Sequence, residues 1–186
     1  MSVTFTAGSL CELHVLEPTP EEIASFTKAV NAGLTTKYMM TGSAPMRPID
    51  FKKWVESERK ARSVLFSIRT LGEIPIGIVG LHCLREVYRS MEFRILIYDP
   101  SAIGSGIGTE ATRLVVDYGF ERLNLHRIWL GVHSDNKGAI RCYEKAGFKR
   151  EGVLRDELFT YGKYADAIRM GVLEGEWKSS TPVKAR

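Results

Sequence analysis

The stretch that decides the fold runs from Gly104 to Gly152, GSGIGTEATRLVVDYGFERLNLHRIWLGVHSDNKGAIRCYEKAGFKREG. It opens in the turn Ile103-Gly104-Ser105-Gly106-Ile107-Gly108, three glycines at alternate positions between the strand-like run MEFRILIY (Met91 to Tyr98) and a helical pattern. Glycines so spaced let a backbone approach a ligand closely and turn its N–H groups toward it. At the positive end of a helix dipole such a turn binds phosphates. A plain strand-to-helix turn is the competing reading, since glycine marks turns of many kinds. The helix is expected from Thr109, with Ala111, Leu114, Val115 and Tyr118 on one face. A buried strand follows over Arg127 to Val132, then a helix over Asn136 to Ala146 stopped by Gly147. Other phosphate loops fit worse: no Lys follows the last glycine, and Thr109 stands where a dinucleotide fingerprint needs its third Gly.

Working outward, Leu10 to Leu16 reads as one strand. Thr19-Pro20-Glu21-Glu22 reads as a capping box with Pro at the first helical position. Gly33 to Pro48 reads as an ordered loop carrying Tyr38, Met39 and Met40, and a second helix is expected after Asp50, with Phe51, Trp54 and Val55 on one face. Ser63 to Arg69 and Ile74 to Leu81 form a hairpin pattern, and Gly152 to Phe159 with Ala165 to Leu173 another. The element order is βαα-βββ-α-β-α-ββ, an α/β chain with a mixed, mostly antiparallel central sheet and helices on both faces. Residues 1–178 are read as a single domain and 179–186 as a frayed tail.

The turn and the downstream helix together resemble the coenzyme A-binding core of the GNAT acetyltransferase superfamily. Its [QR]-x-x-G-x-[GA] motif corresponds to Ile103 through Gly108, and its N-x-x-A-x-x-x-Y-x-K-x-G-F segment to Asn136, Ala139, Tyr143, Lys145, Gly147 and Phe148. The resemblance covers roughly residues 60 to 175. The segment Gly162-Lys163-Tyr164-Ala165-Asp166 through Met170 is similar to the subgroup of ribosomal-protein alanine and spermidine N-acetyltransferases. One departure is Ile103, where the family usually has Gln or Arg. The resemblance implies a central strand pair that splays to admit the pantetheine arm of acetyl-CoA. Ile95, Leu96 and Ile97 then offer a backbone edge, and Ile103, Gly104, Ser105, Gly106, Ile107, Gly108 and Thr109 cradle the pyrophosphate. It further implies Glu92 as general base toward the amine, Tyr143 as general acid toward the departing thiolate, and Asn136 on the pantetheine arm.

Each role has a structural competitor. Glu92 and Arg94 share a strand face and could simply pair. Tyr143 could be a core side chain beside Ile140 and Ala139, and Asn136 a helix cap only. His133, expected in the loop after its strand, competes as base because imidazole titrates near neutrality. Cys142 next to Tyr143 raises an acyl-cysteine route, but no His stands in its local run to take its proton.

Composition narrows the class. At 186 residues, with 44% hydrophobic and 26% charged residues, the chain can bury one core, and its mean hydropathy of −0.11 excludes disorder and multiple membrane spans. The net charge of +4 is spread among 22 acidic residues, so nucleic acid is not an expected partner. Cys11, Cys83 and Cys142 have no metal-ligand spacing and read as reduced thiols, so no metal is expected. The lack of a basic leader and apolar run at the N-terminus points to the cytoplasm and away from membranes. The co-substrate expected is acetyl-CoA, and the acceptor a small-molecule amine such as an amino sugar or polyamine, or a protein N-terminus. A homodimer is the further partner expectation. The segment from Gly33 to Trp54, with Thr35, Thr36, Lys37, Tyr38, Met40, Thr41 and Ser43, carries only Asp50 as an acid, unlike the polyamine enzymes of the subgroup. The alternative function is a non-catalytic acetyl-CoA-binding regulatory module of the same fold.

Overall fold

The computed structural model describes residues 3–32, 38, 45–160 and 162–177. Twelve elements follow one another: β1 (Thr4–Ala7), β2 (Glu12–Val15), α1 (Pro20–Asn31), α2 (Pro48–Lys60), β3 (Val64–Arg69), β4 (Pro75–Arg85), β5 (Ser90–Ile97), α3 (Ile107–Glu121), β6 (Arg127–His133), α4 (Lys137–Ala146), β7 (Lys149–Thr160) and β8 (Lys163–Leu173). The strands make one eight-stranded sheet in the order β1-β2-β3-β4-β5-β6-β8-β7. Only β5 and β6 pair in parallel, because α3 carries the chain across between them.

The expected mixed sheet is therefore present, with several corrections. The run Leu10 to Leu16 is not one strand: β2 occupies its second part, and an unforeseen β1 precedes it. The run into and through β1 alternates Val3, Phe5 and Ala7 with Thr4 and Thr6 over only five residues, and β1 is almost wholly exposed. Four hydrogen bonds from residues 9–11 to the Glu110 carboxylate, at 2.7–3.0 Å, hold the β1–β2 turn against the start of α3. α2 begins at Pro48 rather than after Asp50, since Asp50 returns its carboxylate to the Arg47 amide and guanidinium. α3 begins at Ile107, two residues before Thr109. His133 is the last residue of β6 and is buried, not part of the following loop. The loop reading over Gly33 to Pro48 and the frayed tail fall largely outside the described residues.

The Thr19 cap forms as expected, its hydroxyl accepting from the Glu22 amide at 3.3 Å. The reciprocal half of the box does not. Glu22 instead turns its carboxylate into the interior, where Ser67 donates at 2.5 Å and Arg69 at 2.6 Å.

Two apolar clusters lie on opposite faces of the sheet. α3 and α4 cover one face through Ala111, Leu114, Val115, Ile140 and Tyr143, packed on Met91, Phe93, Ile128 and Leu130. α1 and α2 cover the other through Phe26, Val30, Phe51 and Val55, packed on Leu65, Ile78 and Tyr98. Successive strand residues alternate faces, so Glu92 points to the α1–α2 side while Phe93 points toward α4.

Candidate active site

The parallel pair β5–β6 holds together for three rungs only: Ser90 with Arg127, Met91 with Ile128, and Glu92 with Trp129. Beyond Glu92 the two strands part. β5 continues to pair with β4 up to Ile97, and β6 continues to pair with β8 up to His133. The facing edges of Phe93–Ile97 and Leu130–His133 carry no ladder, and beneath the fork Phe93 meets the rings of Tyr143 and Phe148 at 6.1 and 5.9 Å. Backbone left unpaired in this way accepts an extended ligand as an additional strand. Ile95 and Ile97 pack into the α3 side and Leu96 into the α1–α2 side; because backbone groups alternate between edges, Leu96 faces β4 as Tyr98 does, and Ile95 and Ile97 present theirs to the fork.

The glycine turn lies beyond the far end of β5, after a 3-10 turn over Pro100–Ala102. Gly104 has φ +84° and Gly106 φ +94°, a left-handed backbone open to glycine and costly for other residues. A side chain at Gly104 would meet nothing within 4 Å, and one at Gly106 would come within 3.2 Å of Leu10. Within the turn, the Ile103 amide donates to Pro100, that of Ile107 to Ser105 Oγ and that of Thr109 to Gly106. The amides of Gly104, Ser105, Gly106 and Gly108 donate to no described group, which leaves four free N–H donors at the start of α3, the arrangement an anion cradle needs. These residues fit a pyrophosphate. The Ile103 side chain is 64% exposed and stands outside that set.

On the α1–α2 side of the fork, Glu92 is 8% exposed, and its Oε2 accepts from Arg94 at 2.7 Å. The Arg94 pairing read from sequence is thus real, but the acid is buried rather than solvated. Its Oε1 has no partner among the described residues and is not sealed from solvent. Directly across β4 from Glu92 is His82, 3% exposed, whose Nδ1 lies 2.9 Å from Glu58 Oε2 on α2. Burial lowers the His82 pKa against the pull of Glu58, so the neutral imidazole is favoured. Burial raises the Glu58 carboxyl, but hydrogen bonds from Ser63 and His82 outweigh it and hold the group below its usual value. Sequence reasoning weighed His133 and missed His82 and Glu58. The available signal was the hairpin of β4 and β5, which sets His82 opposite Glu92.

On the other side, Tyr143 is 8% exposed, and burial pushes its phenol pKa well up, so it stays protonated. The hydroxyl makes no hydrogen bond among the described residues, yet it is not sealed. Asn136 caps α4 with Oδ1, accepting from the Ala139 amide at 3.1 Å, which leaves Nδ2 unused among the described residues. Cys142 lies beside Thr109 at 3.3 Å, near the cradle and without a described base. The described His133 ring packs against Tyr38 at 5.2 Å. Of the acceptor segment from Gly33 to Trp54, residues 33–37 and 39–44, with Thr35, Thr36, Lys37, Met40, Thr41 and Ser43, lie outside the described residues. No group of three or more metal-ligating side chains occurs among the described residues.

Comparison with known proteins agrees with this architecture. Residues 12–149 match the Acetyltransferase (GNAT) domain family model. The spermidine N(1)-acetyltransferase of Escherichia coli strain K12 is 39% identical over 122 residues, 66% of this chain and 62% of that protein. A putative ribosomal N-acetyltransferase of Bacillus subtilis is 33% identical over 102 residues, 55% of each chain. The crystal structure of spermidine N-acetyltransferase from Vibrio cholerae in complex with CoA and spermine superposes with a TM-score of 0.81 at 28% identity, over 91% of this chain and 98% of that one. With the model match spanning most of the chain, and the forked sheet, glycine cradle and α4 motif in family order, the protein belongs to the GNAT acetyltransferase family.

Proposed function

We propose that residues 1–178 act as one domain that transfers an acetyl group from acetyl-CoA to a primary amine. The observation that carries this reading is the fork itself, with unclaimed amides along one arm, an anion cradle at its end, and Glu92 and Tyr143 on opposite faces at its root. Bound there, the coenzyme supplies an activated acetyl thioester. The free edge of β5 holds the acyl arm and directs an N–H at its carbonyl oxygen, while Asn136 Nδ2 donates to the pantetheine.

An alkylamine has a pKa of about 10 and arrives as ammonium at pH 7, so a base must take its proton. Glu92 Oε1 is the open acceptor at the root of the fork, with Arg94 fixing the other oxygen. His82 and Glu58 stand behind it as positioning groups. Tyr143, kept protonated by burial, delivers its hydroxyl proton to the leaving sulfur. The names of the relatives support a polyamine as acceptor. The panel to be tested also includes amino sugars and peptide N-termini.

The test joins binding to turnover. Acetyl-CoA at 100 times its Kd should stabilise the protein by about 2.7 kcal/mol, raising its melting temperature, whereas NAD and ATP should not. Gly106→Val, which places a branched side chain at φ +94°, should remove that shift. Thiol release in the presence of the amine panel completes the test. Coenzyme binding without turnover on any amine would replace the enzyme reading with a non-catalytic coenzyme-binding module.

A further inference from the structure

The α1–α2 cluster covers the sheet only over β3, β4 and the end of β5. Beside it, on the same face as Glu92, lies a concavity of about 650 Å³ whose lining includes Arg85, Tyr88, Ser90, Arg127, Trp129 and Arg169. Trp129 occupies the last rung before the fork, directly opposite Glu92. The Arg169 guanidinium sits 4.1 Å from the centre of the Trp129 ring and that of Arg85 6.0 Å from it.

What separates these two arginines from their neighbours is how their donors are used. Arg127 is clamped by Glu151 at 2.6 Å, Arg89 is bound by Glu174 at 2.9 Å, and Arg94 is held by Glu92. Arg85 and Arg169 donate to no described carboxylate or carbonyl; Arg169 rests on the indole and Arg85 stands 6.0 Å from its centre. A guanidinium stacked on a ring keeps its N–H edge oriented and free, which is how arginine presents itself to phosphate and carboxylate. The carboxylates of Glu151, Glu174 and Glu92 offset three of these five arginines, so the concavity is left cationic. A bare polyamine meets repulsion here, whereas an oxyanion meets a prepared site.

We propose that this concavity is an oxyanion subsite that holds a phosphate or carboxylate carried by the amine acceptor, so that acceptors bearing such a group are preferred. The proposal rests on the acetyl-transfer reading above. It narrows the acceptor from amines in general to anion-bearing ones, and away from the polycations that give the relatives their names.

The experiment measures kcat/KM for matched pairs: ethanolamine with its phosphate ester, glucosamine with glucosamine 6-phosphate, and butylamine with γ-aminobutyrate, with spermidine alongside. Wild type is compared with Arg169→Gln, Arg85→Gln and the double variant. A charge-assisted hydrogen bond predicts about a tenfold or larger advantage for the anionic member of a pair, falling toward unity in the double variant. The esters and the carboxylate distinguish the two oxyanion chemistries. Free inorganic phosphate should compete with the phosphorylated amines and leave the plain ones unaffected. Stimulation of the plain amines by free phosphate would overturn the acceptor-borne assignment.

A second readout does not need turnover: titration with inorganic phosphate should change tryptophan fluorescence in wild type and much less in Arg169→Gln. Equal or poorer use of the anionic amines, together with a flat phosphate titration, overturns the proposal while leaving acetyl transfer standing. Failure of every amine would sink the acetyl-transfer reading instead, and the titration would still report on the subsite.

Discussion

Two glutamates on the same side of the sheet are each bonded to an arginine, and they differ in what surrounds the pair. Glu22 of α1 is 1% exposed and Arg69 of β3 4% exposed. Ser67 donates to Glu22 at 2.5 Å, the Tyr98 hydroxyl approaches at 3.5 Å, and Arg69 also donates to the Glu73 carbonyl at 2.6 Å. Burial, with Glu22 beside it, pushes the Tyr98 phenol pKa far up. This pair is enclosed and ties α1 to the sheet. Glu92 is bonded to an arginine whose side chain is 48% exposed, and its second oxygen stays open at the root of the fork. An acid whose lone pairs are all claimed in a sealed space serves the fold. One left a free oxygen beside a cleft can exchange a proton.

That contrast can be broken most sharply by removing the sealed acid. Glu22→Ala leaves the buried Arg69 with only the exposed Glu21, 3.4 Å away, as a charge partner, and its Nε already lacks one. It should cost about 3–5 kcal/mol and lower the melting temperature by on the order of 10 °C. The double replacement Glu22→Leu with Arg69→Met should recover much of the loss, because no charge is then stranded. A loss below about 1 kcal/mol in the single variant would mean that water reaches the pair and that the site is not sealed.

The next effects are catalytic. Tyr143→Phe keeps the ring against Phe93 and Phe148 but deletes the proton, so kcat should fall on the order of 10²-fold with coenzyme affinity little changed. Unfolding should barely move, since the hydroxyl makes no described hydrogen bond. A large loss of stability with kcat intact would return Tyr143 to the core. Glu92→Gln should lower kcat/KM for the amine by roughly tenfold or more at neutral pH. Part of that loss should return at high pH, where the amine arrives deprotonated. A profile parallel to wild type at every pH would make Glu92 a second Glu22, a partner of its arginine and nothing more.

How far the sequence could be read follows the same division between local and non-local causes. The caps at Thr19, Asn136 and Gly147 form where the sequence predicts them, because each is decided within one helical turn. The glycine turn before α3 was legible for the same reason. The fork was legible only through family resemblance, since where β5 and β6 part is a matter of register between strands separated by α3. Glu22 was assigned to its own helix end, but Arg69, 47 residues away, competed for its carboxylate. β1 escaped because Glu110, about 100 residues distant, holds the turn that follows it. His82 and Glu58 escaped because only the β4–β5 hairpin and the packing of α2 bring them to Glu92.

The smallest expected effect concerns that last pair, and its sign can be worked through. His82 faces Glu58 from α2 and both Glu92 and Arg94 from β5. Burial is the largest influence and lowers its pKa in the fold; Glu58 and Glu92 oppose this, and Arg94 adds to it. An unfolded histidine titrates near about 6.5, so below that pH the unfolded chain takes up a proton that the fold resists. The contribution of His82 to stability is therefore fully present above about pH 6.5 and declines as pH falls toward the depressed folded value, with a slope of at most about 1.4 kcal/mol for each step of one in pH. The Glu58 carboxyl, also lowered, adds its own loss only further down, below its unfolded value near 4.5. Denaturant midpoints at pH 7.5 and 5.5 should consequently differ in wild type, and the difference should shrink in His82→Gln. Buried His14 and His133 remain in both proteins, so the comparison isolates the one imidazole. If the variant lost as much stability as wild type between the two pH values, His82 would be charged in the fold. The Glu58–His82 pair would then be an ion pair like that of Glu22, rather than a neutral support behind an open acid.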